Sequence, residues 1–203
     1  MIIEDGTGSG HKVQVDSGNH MHTFAINRSE IQAAVKGGRA YNINTGWIGL
    51  TTATESAVLY FKNDESPSNG ESRISVDAIA VGIDDEGTTA GMSTITVVRN
   101  PTAGTIVSGA TAVDMNQNRN FNSSNTLGST TLAYKGAEGN TFTDGDDIAI
   151  FGQQPGARAY YGVDFILGRG DSIGVKIDTD TSSGTSNVYV ALIIHRVDGS
   201  LGD

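Results

Sequence analysis

From residue 40 onward, apolar positions recur with a period of two, the spacing that places alternate side chains on opposite faces of a strand. Candidate strands lie at 40–44, 47–51, 56–63, 73–83, 93–99, 105–107, 110–114, 131–135, 147–152, 159–167, 172–178 and 187–197. Ile173, Val175 and Ile177 alternate with Gly174, Lys176 and Asp178, as in a strand with one face on a core and one in water. The segment 187–197 differs, because Val188, Val190, Leu192 and Ile194 form one apolar register and Tyr189, Ala191, Ile193 and His195 a second, largely apolar one. A strand of that kind sits centrally in its sheet, or has its second face covered by another subunit.

Turn residues punctuate these strands at Asn63–Gly70, Asp84–Gly87, Gly136–Gly139, Gly168–Asp171 and Asp178–Gly184. Short strands separated by such turns predict an all-β chain, an antiparallel β-sandwich of jelly-roll type. No period of 20–50 residues is present, so a propeller or solenoid is not expected. Around 94–128, β-branched runs are broken by Pro101, Gly104 and Gly109 and followed by an Asn/Ser-rich segment over 116–125. That pattern describes a rigid scaffold carrying an ordered polar loop.

The first 39 residues read differently. Gly6, Gly8 and Gly10 alternate with Thr and Ser, which favours an extended arm. Val13 and Val15 give a short strand signal before one helix over 29–36. Ser29 with Gln32 forms a capping box, Glu30 suits the first turn, Lys36 suits the last, and Gly37-Gly38 stops it. Ile31 and Val35, four apart, are expected to face inward. The domain reading is therefore an arm with a short helix at 1–39 and a sandwich at 40–203.

Composition narrows the function classes. Twenty-three acidic residues against 13 basic ones leave a net charge of −10, which disfavours nucleic acid and anionic membrane as partners. The absence of cysteine removes disulfides, thiol catalysis and Cys-based zinc sites. No apolar run reaches the roughly 20 residues that span a bilayer, and Met1-Ile-Ile-Glu-Asp-Gly6 lacks the basic start and apolar core of a signal peptide. Synthesis in the cytoplasm without removal of a leader is the expectation.

Candidate chemistry is thin. Neither Ser9 nor Ser93 sits in a nucleophile-elbow pattern, and the glycines at 6, 8 and 10 lack the Lys and Ser/Thr of a phosphate loop. His20 and His22, with Asp16, offer metal ligands without a fixed third partner or outer support. Thr143–Asp147 and Ile83–Gly87 cluster carboxylates suited to Ca²⁺, yet neither has EF-hand spacing, and Asp and Gly are also simply good turn formers. Paired acids would suit a glycosidase, but aromatics are 6% of the chain and Trp47 is its one tryptophan. Arg169-Gly-Asp171 matches the integrin-binding tripeptide and also makes a tight turn, which is the reading adopted. No catalytic, cofactor or metal residue is assigned, and the chain is expected not to be an enzyme.

Several phrases carry a resemblance: Asn42-Ile-Asn-Thr-Gly46, Leu59–Glu65, Val98–Ser108, Asn118-Arg-Asn-Phe121, Tyr134-Lys-Gly136 and Gly170–Val175. Together they resemble structural proteins of tailed-bacteriophage virions. The resemblance implies a β-sandwich that decorates or cements the capsid, commonly as a trimer, on the outer surface of the virion. Its partners would be the major capsid protein and further copies of itself, with the arm and helix lying along neighbouring subunits. The alternative is a receptor- or glycan-binding tail or fibre module, and a polysaccharide-degrading enzyme comes third.

Overall fold

The computed structural model describes residues 29–51, 54–66, 73–85, 91–115, 117–179 and 184–197. Contacts divide the chain into Met1–Glu30 and Ile31–Asp203, and the second unit carries the strands. The readings placed on Gly6, Gly8, Ser9, Gly10, Val13, Val15, Asp16, His20 and His22 lie outside the described residues.

Helix α1 (Glu30–Lys36) leads into β1 (Ala40–Asn44), β2 (Ile48–Leu50), β3 (Ser56–Lys62), β4 (Ile74–Asp85) and β5 (Ser93–Arg99). After helix α2 (Thr105–Gly109) come β6 (Thr111–Ala112), β7 (Gln117–Asn118), β8 (Leu132–Lys135), β9 (Asp146–Gln153), β10 (Arg158–Leu167), β11 (Ser172–Asp178) and β12 (Ser186–Arg196). One sheet runs β10-β4-β12-β1-β7, with β2 also on β12, and the other runs β6-β8-β3-β11-β5-β9. Every pairing is antiparallel.

The pairings are nested. The first strand pairs with the last (β1 with β12), then β3 with β11, β4 with β10 and β5 with β9. Rolling up a chain in this way makes a jelly roll, so the expected all-β sandwich is the fold that forms. The core lies between the sheets, where Phe61, Ile79, Val81, Ile95, Val97, Ile173, Val175, Val190, Leu192 and Ile194 are closed off from water. Each comes from an alternate position of its strand, the sidedness that period-two patterning requires.

Three local expectations need correction. The segment read as a strand at 105–107 is the single-turn helix α2, because Gly104, at φ 136°, turns the chain where a Cβ would lie 2.1 Å from the Thr141 carbonyl oxygen. The turn sends Ile106 under the sheet against Ala57 and Tyr60, and this burial overrides the β propensity of Thr105-Ile-Val. In α1 the fully buried residue is Ala34, while Ile31 and Val35 are only half-buried. The short strand β7 carries no apolar signal at all, since Gln117 and Asn118 pair with Asn42 and Tyr41 through the backbone.

The end of α1 follows its sequence signal closely. Arg39 N–H donates to the Ala34 carbonyl at 2.8 Å and Gly38 N–H to that of Val35 at 3.0 Å, the two bonds of a Schellman motif. Gly38 sits at φ 67°, in the left-handed region that glycine enters without steric cost.

Candidate functional site

The two outer faces of the sandwich are finished differently, and the difference locates the candidate site. On the β3/β11 sheet, helix α2 and the loop 137–145 close over the outward side chains. Ile106 and Phe142 pack with Ala57 and Tyr60, and Phe142 lies so close to Gly174 that a Cβ there would meet its ring at 2.4 Å. Tyr60 stacks near-parallel on Tyr134, with centroids 6.0 Å apart. Burial raises the Tyr60 hydroxyl above its ordinary pKa. Because one face of β3 meets the core and the other meets α2, that strand is buried on both sides.

The outward side of the β4/β12 sheet is only partly covered: Ala78 is fully buried there, Ala80, Ala191 and Ile193 are half-buried, and Tyr160 is exposed. Strand registers place Tyr160, Ala80, Ala191 and Asn44 in one row across β10, β4, β12 and β1. Gly162, Ala78, Ile193 and Asn42 make the next row, and Arg158, Gly82 and Tyr189 a third. Tyr189 lies across Gly82 and meets Trp47 edge-on at 4.9 Å. At the other end His195 and Asp77 pair at 3.0 Å, and Ser75 donates to the same carboxylate. The three rows carry no carboxylate. They form a shallow shelf of small residues, framed by Tyr160, Tyr189, Ile193 and Trp47.

This outcome refines the reading of 187–197. The strand is central, with Val188, Val190, Leu192 and Ile194 fully buried. Its second register is mixed: His195 is buried, while Tyr189, Ala191 and Ile193 are half-buried.

Beside the shelf, β9 and β10 are edge strands of opposite sheets joined by one turn. Ile148, Ile150, Tyr160 and Ile166 are 41–66% exposed there, four of the seven exposed large apolar residues among those described. Phe151 stacks on Tyr161 at 4.2 Å across the open edge. A cleft of about 180 Å³ opens between Ile148, Phe165, Ile166 and Ile173. Both strands are irregular: β10 shifts register between Gly162 and Phe165, and Asp164 takes φ 49°. A similar shift lies opposite β9 between Val97 and Val98. Bulges of this kind spoil an edge for backbone pairing, so these strands offer side chains and not a ladder.

A second feature is the Asn-rich loop. Asn118 Nδ2 donates to the Gly38 carbonyl at 2.8 Å, and Asn120 Nδ2 to that of Lys36 at 3.0 Å. Asn118 and Asn120 also accept from backbone N–H groups two residues on, making successive Asx turns. The ordered polar loop is therefore real, and it satisfies carbonyls at the end of α1. It presents Phe121 at 98% exposure beside an open cleft of about 590 Å³ lined by Asn42, Gln117, Arg119, Asn120 and Ser123.

The carboxylates of Thr143–Asp147 work locally, while Glu86 and Gly87 of the other cluster lie outside the described residues. Asp144 accepts from the Thr102 hydroxyl and from the backbone N–H groups of Ala103 and Thr102, which together hold it below the usual carboxylate range. Lys176 lies 3.1 Å from both Asp147 and Glu55. Burial pulls the Lys176 amine down, but the two carboxylates outweigh it and hold it above its ordinary value. No group of three or more Asp, Glu or His among the described residues is placed to hold a metal ion.

Asp171 accepts from Gly168 N–H at 2.9 Å and Asn100 Nδ2 at 3.2 Å, so the Arg169-Gly-Asp171 carboxylate is tied into its own turn. Ser93 is buried and directs its hydroxyl to the Thr179 carbonyl. Sequence reasoning missed one buried charge pair. Glu65, fully enclosed, accepts from the Thr131 hydroxyl at 2.8 Å and from Arg196 at 2.5 Å. Arg196 also lies over the Tyr41 ring at 5.8 Å. Glu65 looked like one more turn residue, and only the fold brings Arg196 to it.

No family model matches the chain, and no curated protein matches it. Among solved structures, it is similar to the crystal structure of Yersinia pseudotuberculosis-derived mitogen (YPM), with a TM-score of 0.32 and 12% identity. That likeness covers 78% of this chain and 87% of the mitogen, and at such a score it carries no functional argument.

Proposed function

We propose that this chain is a non-enzymatic structural protein of a tailed-bacteriophage virion, one that decorates or cements the capsid. In this reading it is made in the host cytoplasm and sits on the outer capsid surface. Its partners are the major capsid protein and further copies of itself, as a trimer. The observation that carries the reading is the contrast between the outer faces. One is closed by the chain's own α2 and loop, while the other keeps a carboxylate-free shelf beside an apolar edge. A protein that works by packing against neighbours needs such a surface, and a lattice multiplies modest contacts into avidity. The phrases between residues 42 and 175 that resemble virion proteins supply the location. Cryo-EM of intact particles tests it: many copies at lattice axes support decoration, and absence from the capsid shell overturns it.

A receptor- or glycan-binding tail module is the second reading, favoured by one observation. Phe121 stands almost fully exposed on a stapled loop, beside amides and the Arg119 guanidinium. An aromatic face with convergent amides suits a sugar ring. A glycan array probed with the wild-type chain and with Phe121→Ala tests it. Signal that the substitution abolishes would favour this reading, and no signal for either would end it.

A further inference from the structure

Around the cleft beside Phe121, the polar side chains divide into those that hold the loop and those that hold nothing. Asn118 and Asn120 are committed to the Gly38 and Lys36 carbonyls and to backbone N–H groups of their own loop. Ser123 accepts from Asn125 N–H and lies where a Cβ on Gly38 would meet its oxygen at 2.1 Å, so the loop is seated on the end of α1. Asn42, Gln117 and Arg119 make no side-chain hydrogen bond or ion pair among the described residues. Strand pairing brings these three together. Asn42 lies opposite Gln117, and Arg119 N–H donates to the Ala40 carbonyl at 2.9 Å, so period-two spacing puts Gln117 and Arg119 on the same face as Asn42. That face points away from the core, because the flanking Tyr41 and Ile43 are the buried residues of β1.

We propose that this cleft binds a sugar that carries a carboxylate, a uronic acid or a related acidic ring within an oligosaccharide. The inference rests on the glycan-binding reading above and names the class of sugar. A volume of about 590 Å³ falls in the roughly 300–1,000 Å³ range of ligand clefts, and the open form leaves room for a sugar chain to continue past it. Phe121 offers the negative face of its ring to the C–H groups on the flat side of a sugar. The amides of Asn42 and Gln117 suit hydroxyls, since each can donate and accept. Asn42 Oδ1 is enclosed without a hydrogen-bond partner, a costly state for an acceptor, and the broad terminal torsion of an Asn lets it swing to a hydroxyl.

Arg119 decides for an acid. A guanidinium grips a planar carboxylate through two parallel N–H donors, a match that a neutral hydroxyl does not offer. The lining of the cleft holds no carboxylate, although acids outnumber bases 23 to 13 in the chain. The adjoining cleft past Gln117 holds Asp114 together with Lys135, so it adds no net charge beside Arg119. A phosphate monoester would bring about twice the charge of a carboxylate against a chain of net charge −10, which disfavours it. The loop is fixed by its own amides before any ligand arrives, so little ordering cost opposes binding.

The test presents the full chain to an array of uronic and nonulosonic acid oligosaccharides, each beside its methyl ester, with neutral, sulfated and phosphorylated sugars alongside. Wild type is expected to bind carboxylated members. The tightest of them should lose at least about tenfold in affinity as its ester, the worth of one hydrogen-bonded charge. Arg119→Gln is expected to bind acid and ester alike, while Phe121→Ala weakens both and Phe121→Tyr weakens neither. Arg119 and Phe121 are exposed, so each variant should keep the wild-type melting profile. An acid held no tighter than its ester, an acid preference that Arg119→Gln leaves unchanged, or stronger binding of sulfated or phosphorylated sugars overturns the proposal. Neutral glycans bound as well as acidic ones, with both signals lost in Phe121→Ala, would also overturn it and leave the glycan reading standing. Silence across the whole array ends both.

Discussion

The two outer faces of this jelly roll start from similar material. Each places an aromatic ring over a glycine, Phe142 on Gly174 in one sheet and Tyr189 on Gly82 in the other. In the first case the ring arrives from a loop that, with α2, also buries Ile106 and shields Tyr60. In the second the ring belongs to the sheet itself, and the rows around it stay partly open, with Ala80, Ala191 and Ile193 half-buried and Tyr160 exposed. A sheet face that is apolar and covered adds to the stability of the chain. One that is apolar and open adds little until something lies on it, so the open face is where association is to be expected.

Substitutions that remove buried groups set the upper end of this comparison. Leu192→Ala, on the core side of β12, should cost about 2–5 kcal/mol in a denaturant melt. Glu65→Ala strands the Arg196 guanidinium in a largely enclosed site and should cost about 3–5 kcal/mol by the same measurement. A loss below about 0.5 kcal/mol for either, the range of ordinary surface changes, would show that the sandwich core is not where the structure puts it.

These residues also show what the sequence made legible. Strands at 40–44, 93–99, 172–178 and 187–197 were readable because period-two alternation is a local signal that survives in the fold. Position 105–107 misled, because β-branched residues score as strand while Gly104 and the pocket for Ile106 decide the conformation. The double apolar register of 187–197 announced the shelf. Nothing local announced the apolar edge, since β9 and β10 become neighbouring edges only after nested long-range pairing orders both sheets. Arg196 meeting Glu65 across 131 residues was hidden for the same reason.

The covered face should respond at an intermediate level. Phe142→Ala uncovers Gly174 and Tyr60 and should cost about 1–3 kcal/mol, since the ring is only half-buried. Alkaline pH should act on the same side of the molecule. The Lys176 amine is held above its ordinary value, so its contribution is complete below about pH 10.4, the unfolded lysine value. It is lost as pH rises through the higher folded value. Tyr60 and Tyr161, also raised by burial, act in the same direction. Melting temperature should therefore fall above about pH 10, and Lys176→Met should make that fall shallower. An alkaline profile identical to wild type would remove Lys176 from the account.

The smallest effect belongs to the open face. Tyr160→Ser in dilute monomer should change stability by no more than about 0.5 kcal/mol, because 63% of the residue is already in water. A large loss would mean that something in the chain covers the shelf after all.

Hydrogen exchange of the full chain at low and high protein concentration compares the two faces within one experiment. Amides of β9 and β10 should slow as concentration rises, while those of 132–142, under the covered face, should exchange at a constant rate. Equal behaviour of the two regions, or slowing confined to 132–142, would contradict the claim that one face is completed by the chain and the other by its neighbour.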